Sequence, residues 1–176
     1  MSAPEFSRPV RVDTLGSAPR TIAIEADARE RAALAQRFGF DSLSRLEAEV
    51  ELVRKDDRVI ARGMVRASLA QACVATGDPV EEVVEEPFAI EFRPHPGADA
   101  AGDEIELGSG ELDVTFYDGA LVDVGEAAAE TLSLSVDPYP RSPAAEAALR
   151  EAGVRSEEEA RLESSPFAAL KGKLKE

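Results

Sequence analysis

The feature that most constrains this chain is a pair of long alternating runs. Leu46, Ala48, Val50 and Leu52 alternate with Glu47, Glu49 and Glu51, and after a charged turn Val59, Ala61, Gly63, Val65, Ala67 and Leu69 repeat the period, interleaved with Arg62 and Arg66. A period of two gives a sheet with one apolar and one polar face. Folding the runs about Asp56 and Asp57 sets Val50 opposite Gly63 and Ala48 opposite Val65 on the apolar face. The same register sets Glu51 opposite Arg62 and Glu47 opposite Arg66 on the polar face. A slip of one residue would spoil both matches, so this hairpin is predicted with its register. Each cross-strand ion pair is exposed and contributes about 0.2–1 kcal/mol.

The flanking segments supply the other elements. Residues 9–15 and 20–26 read as two short strands separated at Gly16 and Ser17. Asp27 with Glu30 forms a capping box that opens a helix ending at Gly39. Val84, Phe88, Ile90 and Phe92 share one face of a further strand, where Pro87 requires an edge or a bulge. Residues 93–111, rich in Pro, Gly and acid, read as a long mobile loop; 112–116 return as a short strand, and Asp118–Gly119 is a turn signal. Asp123 caps a second helix, with Glu126 in the capping-box position, and Asp137-Pro-Tyr-Pro-Arg141 forces an extended course. Beyond it, Ser142–Pro143, Ser156 and Ser165–Pro166 each open a short helix. The expected fold is therefore α+β. A mainly antiparallel sheet packs against helices at 27–38 and 123–134, in a domain spanning 1–141 with its acidic loop at about 93–111, followed by a helical C-terminal extension over 142–176.

Charge is placed unevenly. Residues 1–80 carry 12 acidic and 12 basic side chains, residues 131–176 carry 8 and 7, and residues 81–130 carry 15 acids against the single base Arg93. A field of that sign repels phosphate backbones and attracts basic partners or cations, although a solvated charged loop would produce the same tally. Cys73 is the only cysteine, which excludes an intrachain disulfide and suits a reducing compartment, and no apolar run approaches the ~20 residues of a membrane span. A cytoplasmic protein is expected.

Catalytic and metal chemistry find little to work with. The only histidine, His95, stands between Pro94 and Pro96 in the loop with no nucleophile beside it. One Cys and one His make a poor start for zinc, and Asp99, Asp103, Glu104 and Glu106 lack the ligand spacing of a calcium loop. No metal and no cofactor are expected. For nucleic acid, Arg58, Arg62 and Arg66 fall on one strand face, and Lys171, Lys173 and Lys175 interleave with Phe167, Leu170 and Leu174 near the C-terminus.

Three segments together carry a resemblance. They are Gln71-Ala-Cys-Val-Ala-Thr-Gly-Asp-Pro-Val80 followed by Glu86-Pro-Phe-Ala-Ile-Glu-Phe92; Leu121-Val-Asp-Val-Gly-Glu126 continuing through Glu130 to Leu134; and Asp137-Pro-Tyr-Pro-Arg141 with the terminal Pro166-Phe-Ala-Ala-Leu170. In this order they resemble the YceD family, the large ribosomal RNA subunit accumulation proteins of bacteria and plastids. Many members carry a Cys-x-x-Cys at the first segment and a second pair near the C-terminus; here Thr76 stands at the second position and no C-terminal Cys exists. The resemblance implies a role in accumulation of 23S ribosomal RNA, hence in large-subunit assembly, and family genes often lie beside one for a small zinc-ribbon ribosomal protein.

Charge and resemblance meet in one expectation, a non-catalytic accessory factor whose acidic surface binds a basic ribosomal protein or assembly factor. Asp123, Glu126 and Glu130 would contribute field, and Tyr139 and Arg141 on the Pro-flanked segment would offer specific contacts. Two alternatives stay open: direct binding of ribosomal RNA through Arg58, Arg62, Arg66, Lys171 and Lys173, and a carboxylate-based, metal-dependent nuclease acting on ribosomal RNA precursors.

Overall fold

The computed structural model describes residues 4–95, 113–155 and 161. In chain order the elements are β1 (Pro9–Arg11), a 3-10 turn (Val12–Thr14), β2 (Arg20–Glu25), α1 (Ala28–Phe38), β3 (Ser42–Lys55), β4 (Arg58–Ala72), β5 (Pro79–Pro94), β6 (Asp113–Tyr117), β7 (Leu121–Asp123), α2 (Val124–Ser135) and α3 (Ala145–Glu151). The chain divides into two compact units, Met1–Gln71 with Glu81–Pro138, and Ala72–Val80 with Tyr139–Glu176.

The first unit holds a five-stranded sheet in the order β2-β3-β4-β5-β6 and a two-stranded sheet of β1 and β7. The hairpin pairs in the predicted register, Val50 with Gly63, Ala48 with Val65, Glu51 with Arg62 and Glu47 with Arg66. Its turn holds Asp56 in the left-handed region at φ 58°. On the apolar face Val50, Leu52, Val59, Ala61 and Val65 are fully buried, in one core with Phe6, Leu34, Phe88 and Leu132. Gly63 lies on this face for want of room. A Cβ there would lie 2.4 Å from the Glu49 carbonyl oxygen and 2.8 Å from Phe88 Cε1, so the aromatic ring occupies the space where a side chain would stand.

Local signals placed the helices. Asp27 Oδ1 accepts from the Arg29 and Glu30 amides, both at 2.8 Å, the Glu30 carboxylate accepts from Asp27 N, and Gly39 ends α1 at φ 74°. Asp123 caps α2 in the same way, but Glu126 does not return the bond; its carboxylate takes Arg37 of α1 instead, at 2.7 Å. A charged acceptor paired with a guanidinium outcompetes a second neutral backbone donor.

Several expectations need correction. The protein is mostly β, with 46% of the described residues in strands and 25% helical, rather than α+β. The ladders β3 to β5 run to 14–16 residues, well past the alternating cores, because Ser42, Arg54 and Lys55 continue pairing where the apolar pattern has already ended. The helical C-terminal tail is likewise not seen: among the described residues it holds α3, of 7 residues, and the helices expected to open at Ser156 and Ser165–Pro166 lie outside them. β6 runs parallel to β5, with Phe92 opposite Thr115, so the sheet is not uniformly antiparallel. β5 is an inner strand in the sheet order, contrary to the edge that Pro87 suggested. Yet β6 begins only opposite Ile90, and His95 N–H donating to Tyr117 O shows that odd-numbered amides of β5 face β6. The missing amide of Pro87 thus falls where β5 has no partner strand on that side among the described residues.

The second unit is described through the turn after β4 and the segment from Tyr139. Cys73 N donates to Asp78 O at 2.7 Å, Gly77 N to Cys73 O at 2.8 Å and Val74 N to Pro140 O at 2.9 Å, which ties the 73–78 turn to the Pro-flanked segment. Gly153, at φ 76°, closes α3.

Candidate functional site

A groove of about 200 Å³ opens in the first unit between β6, β7 and α2. Its floor combines the buried Phe92 and Ala127 with Thr115 and Tyr117, and Phe116, Leu121, Asp123, Glu126 and Glu130 surround the mouth. Phe116 and Leu121 are large apolar side chains left 43% and 49% exposed. The volume is below the about 300–1,000 Å³ usual for small-molecule pockets, and suits one protruding side chain better than a cofactor.

The three carboxylates predicted as binding residues in this stretch come together here, in different states. Asp123 anchors the N-terminal segment: Oδ1 accepts from Arg8 N at 2.7 Å, Gly125 N at 3.0 Å and Glu126 N at 3.2 Å, and Oδ2 from Ser7 Oγ at 2.5 Å. Gly125 lets that segment cross α2, because a Cβ there would fall on Phe6 O and 2.9 Å from Arg8 N. Glu126 is held by Arg37, which also reaches Glu5 at 3.0 Å. Glu130 makes no ion pair among the described residues. Glu130 is exposed, yet local desolvation beside the groove, and then the neighbouring Glu126 charge, push its carboxyl above the usual range.

Clustered carboxylates around a cleft were the condition for a metal-dependent nuclease. Asp123 and Glu126 already have their oxygens occupied by protein donors, which leaves Glu130 alone. Among the described residues no group of three or more His, Cys, Asp or Glu is placed to hold a metal ion.

The arginine stripe lies on the polar face of β4, and two of its members meet acids of β5. Arg58 is 3.2 Å from Glu91 and Arg66 is 3.9 Å from Glu85. The expected cross-strand ion pairs do not form: Glu47 takes Arg45 of its own strand, and Glu51 and Arg62 face each other in register without closing to ion-pair distance. Both line a shallow depression with Thr21, Glu49 and Arg66. A twisted sheet brings long side chains toward a diagonal or adjacent-strand neighbour as readily as toward the residue opposite. Lys171 and Lys173, and the acids at 99–106, lie outside the described residues.

Tyr139 and Arg141 belong to the second unit, where both are exposed, Tyr139 at 71%. In the same unit Cys73 is buried, and its Sγ accepts from Ser142 N at 3.2 Å. The Thr76 and Ser142 hydroxyls lie 3.3 Å apart, so Thr76 meets the C-terminal segment through a hydrogen bond. The Ser142 amide, followed by the Thr76 and Ser142 hydroxyls, pulls the Cys73 thiol down to about 6.

No local pattern marks Phe116, Leu121 or Arg37 as parts of this site. Phe116 read as one residue of a short strand, and its place beside α2 follows from the parallel pairing with β5, which no local pattern encodes. Arg37 could have been suspected as a helix C-terminal cation, but its reach to Glu126 is a tertiary fact.

No helix among the described residues is long and apolar enough to cross a membrane. No curated protein matches the chain. No solved structure matches it either. Residues 61–175, which include the Cys73 turn, the groove and the Pro-flanked segment, match the family model described as large ribosomal RNA subunit accumulation protein YceD, and with more than half of its length so matched the chain belongs to that family.

Proposed function

We propose that this protein is a non-catalytic accessory factor in large ribosomal subunit assembly, which supports ribosomal RNA accumulation by binding a basic ribosomal protein or assembly factor through its acidic surface. The family description supplies the process. The observation that carries the mechanism is a set of exposed carboxylates, Glu81, Glu86, Asp113, Asp118 and Glu130, none of which makes an ion pair among the described residues. Solvated like charges on one unit repel RNA and draw a cationic protein at rates that fall with ionic strength. On this reading Asp123 and Glu126 act through position and field, and Tyr139 and Arg141 offer contacts from the second unit.

The test is retention of large-subunit ribosomal proteins on the immobilised full chain at low and moderate salt. Retention should fall steeply with salt, and should drop for the combined variant Glu81→Gln, Glu86→Gln, Glu130→Gln while Arg62→Glu, Arg66→Glu leaves it intact. Salt-independent retention defeats the electrostatic reading. Binding of ribosomal RNA that is lost in the Arg62 and Arg66 variant would establish the RNA-contact alternative instead.

A further inference from the structure

We propose that the groove beside β6 receives an extended segment of a basic protein as an added strand, with one apolar side chain entering over Ala127 and arginines or lysines on the alternate positions. This rests on the reading above that the partner is a basic protein, and it names how that partner is held.

β6 is outermost in the described sheet, and Thr115, Phe116 and Tyr117 line the groove consecutively, which requires that the groove follow the strand's side. In a parallel pair each residue directs both its N–H and its C=O to the same side, and sides alternate along the strand. Tyr117 O accepts from His95 N, so residues 113, 115 and 117 face β5. The backbone groups of Val114 and Phe116 therefore face outward, along the groove, where a strand of another chain would pair with them.

Side-chain chemistry then selects the occupant. Thr115 pairs with the buried Phe92 and shares its face, whereas Phe116 pairs with Arg93 on the opposite face, with the His95 ring 5.7 Å from its own. An added strand thus sends one side chain into the cavity and the next toward Phe116. The cavity, of about 200 Å³ and floored by Phe92, Tyr117 and Ala127, fits a Val, Ile or Leu. On the other face an arginine can lie over the exposed Phe116 ring. Asp113 and Asp118 at the two ends of β6, with Glu130 at the mouth, set negative charge around the segment. That charge complements a cationic strand.

The experiment is fluorescence anisotropy of the full chain with three labelled synthetic peptides of one composition: alternating Arg and Val, Arg and Val in separate blocks, and the alternating form with every second backbone nitrogen methylated. The alternating peptide should bind, and the other two should each bind at least about tenfold more weakly, the value for losing one or two net hydrogen bonds. Val114→Pro, which removes an outward amide, should weaken the alternating peptide alone, and the Val114 and Phe116 amides should gain protection from hydrogen exchange when it binds. Equal, salt-sensitive affinity for all three peptides overturns strand addition and leaves the acidic-surface reading standing. No salt-sensitive binding of any of them overturns both. Tighter binding of the alternating peptide alone by the charge-neutral variant Phe167→Ser, Leu170→Ser, Leu174→Ser would show that the chain's own C-terminal segment fills the groove, and would overturn the assignment to a partner.

Discussion

Asp123 is where structure and recognition can be separated by measurement. Its carboxylate accepts four hydrogen bonds, from Gly125 N and Glu126 N at the start of α2 and from Arg8 N and Ser7 Oγ of the N-terminal segment. Asp123→Ala removes an N-cap, at about 0.5–2 kcal/mol, and leaves the half-buried Arg8 amide without its acceptor, at about 1–3 kcal/mol. The expected loss is about 2–4 kcal/mol. Asp123→Asn keeps Oδ1 for the three amides and can turn its own amide toward Ser7 Oγ, so it should cost about 1 kcal/mol or less. Urea unfolding followed by circular dichroism measures both, and hydrogen exchange at Arg8 N should accelerate in the alanine variant and change little in the asparagine one. If the two substitutions cost the same and less than about 1 kcal/mol, the anchoring role is wrong. If either weakens binding of a basic partner while stability stays at the wild-type level, the carboxylate serves the partner directly.

Other positions test the packing and the thiol. Gly63→Ala should lower stability by about 1–3 kcal/mol, since its Cβ would meet the fixed Glu49 carbonyl as well as the Phe88 ring; thermal unfolding reads this, and a neutral result would mean that β3 and β4 separate freely there. Gly125→Ala should also destabilise and should expose the N-terminal segment to limited proteolysis. A gain of about 0.8–1 kcal/mol, as helix propensity alone would give, would show that the segment does not cross α2 closely. For Cys73 the folded-state pKa of about 6 lies below the ordinary 9.0. The thiolate therefore contributes stability that is fully present above about pH 9 and is lost as pH falls through about 6. Unfolding free energy should rise with pH across that window in the wild type and stay flatter in Cys73→Ala, with thiolate absorbance titrating near the lower limit.

What could be read from the sequence was what short-range chemistry encodes. The register of β3 on β4 was legible because two independent alternations, apolar and charged, had to agree, and the ends of α1 because Asp27, Glu30 and Gly39 are local devices. The charged pairing itself was not. Glu47 and Arg66 stand opposite each other, yet each found another partner, because the energy at stake between exposed side chains is smaller than the differences among their rotamers. Strand lengths were underestimated wherever pairing continued past the apolar pattern. The parallel β5–β6 contact escaped altogether, since Pro94 and Asp113 are joined through residues whose composition says nothing of where the chain returns. For the candidate site, the convergence of Asp123, Glu126 and Glu130 could be anticipated from helical spacing, but the groove beside them could not, because it exists only once β6 lies next to α2.

Folding also redistributes the charge that the sequence concentrates in one stretch. Ten acids of the 81–130 stretch lie among the described residues. Arginines from the neutral first part of the chain reach three of them, Arg66 to Glu85, Arg58 to Glu91 and Arg37 to Glu126. Asp123 is saturated by amides and a hydroxyl, and Glu82 accepts from Gln71 Nε2. Five remain, Glu81, Glu86, Asp113, Asp118 and Glu130, and three of these five border β6 or its groove. Among the described residues the carboxylates left without a protein partner are thus fewer than the linear tally, and three of them lie close together. A partner reading net charge alone would find such charge along much of β5, whereas a partner that also needs an apolar contact finds the two together beside β6. Long-range attraction would then set the rate of encounter, and the groove would set the residence time. Glu86→Gln should accordingly slow association at low salt without changing dissociation, and Leu121→Ala should speed dissociation at any salt. Stopped-flow mixing with a basic peptide separates the two, and a Leu121→Ala effect confined to association would break the link between groove and residence time.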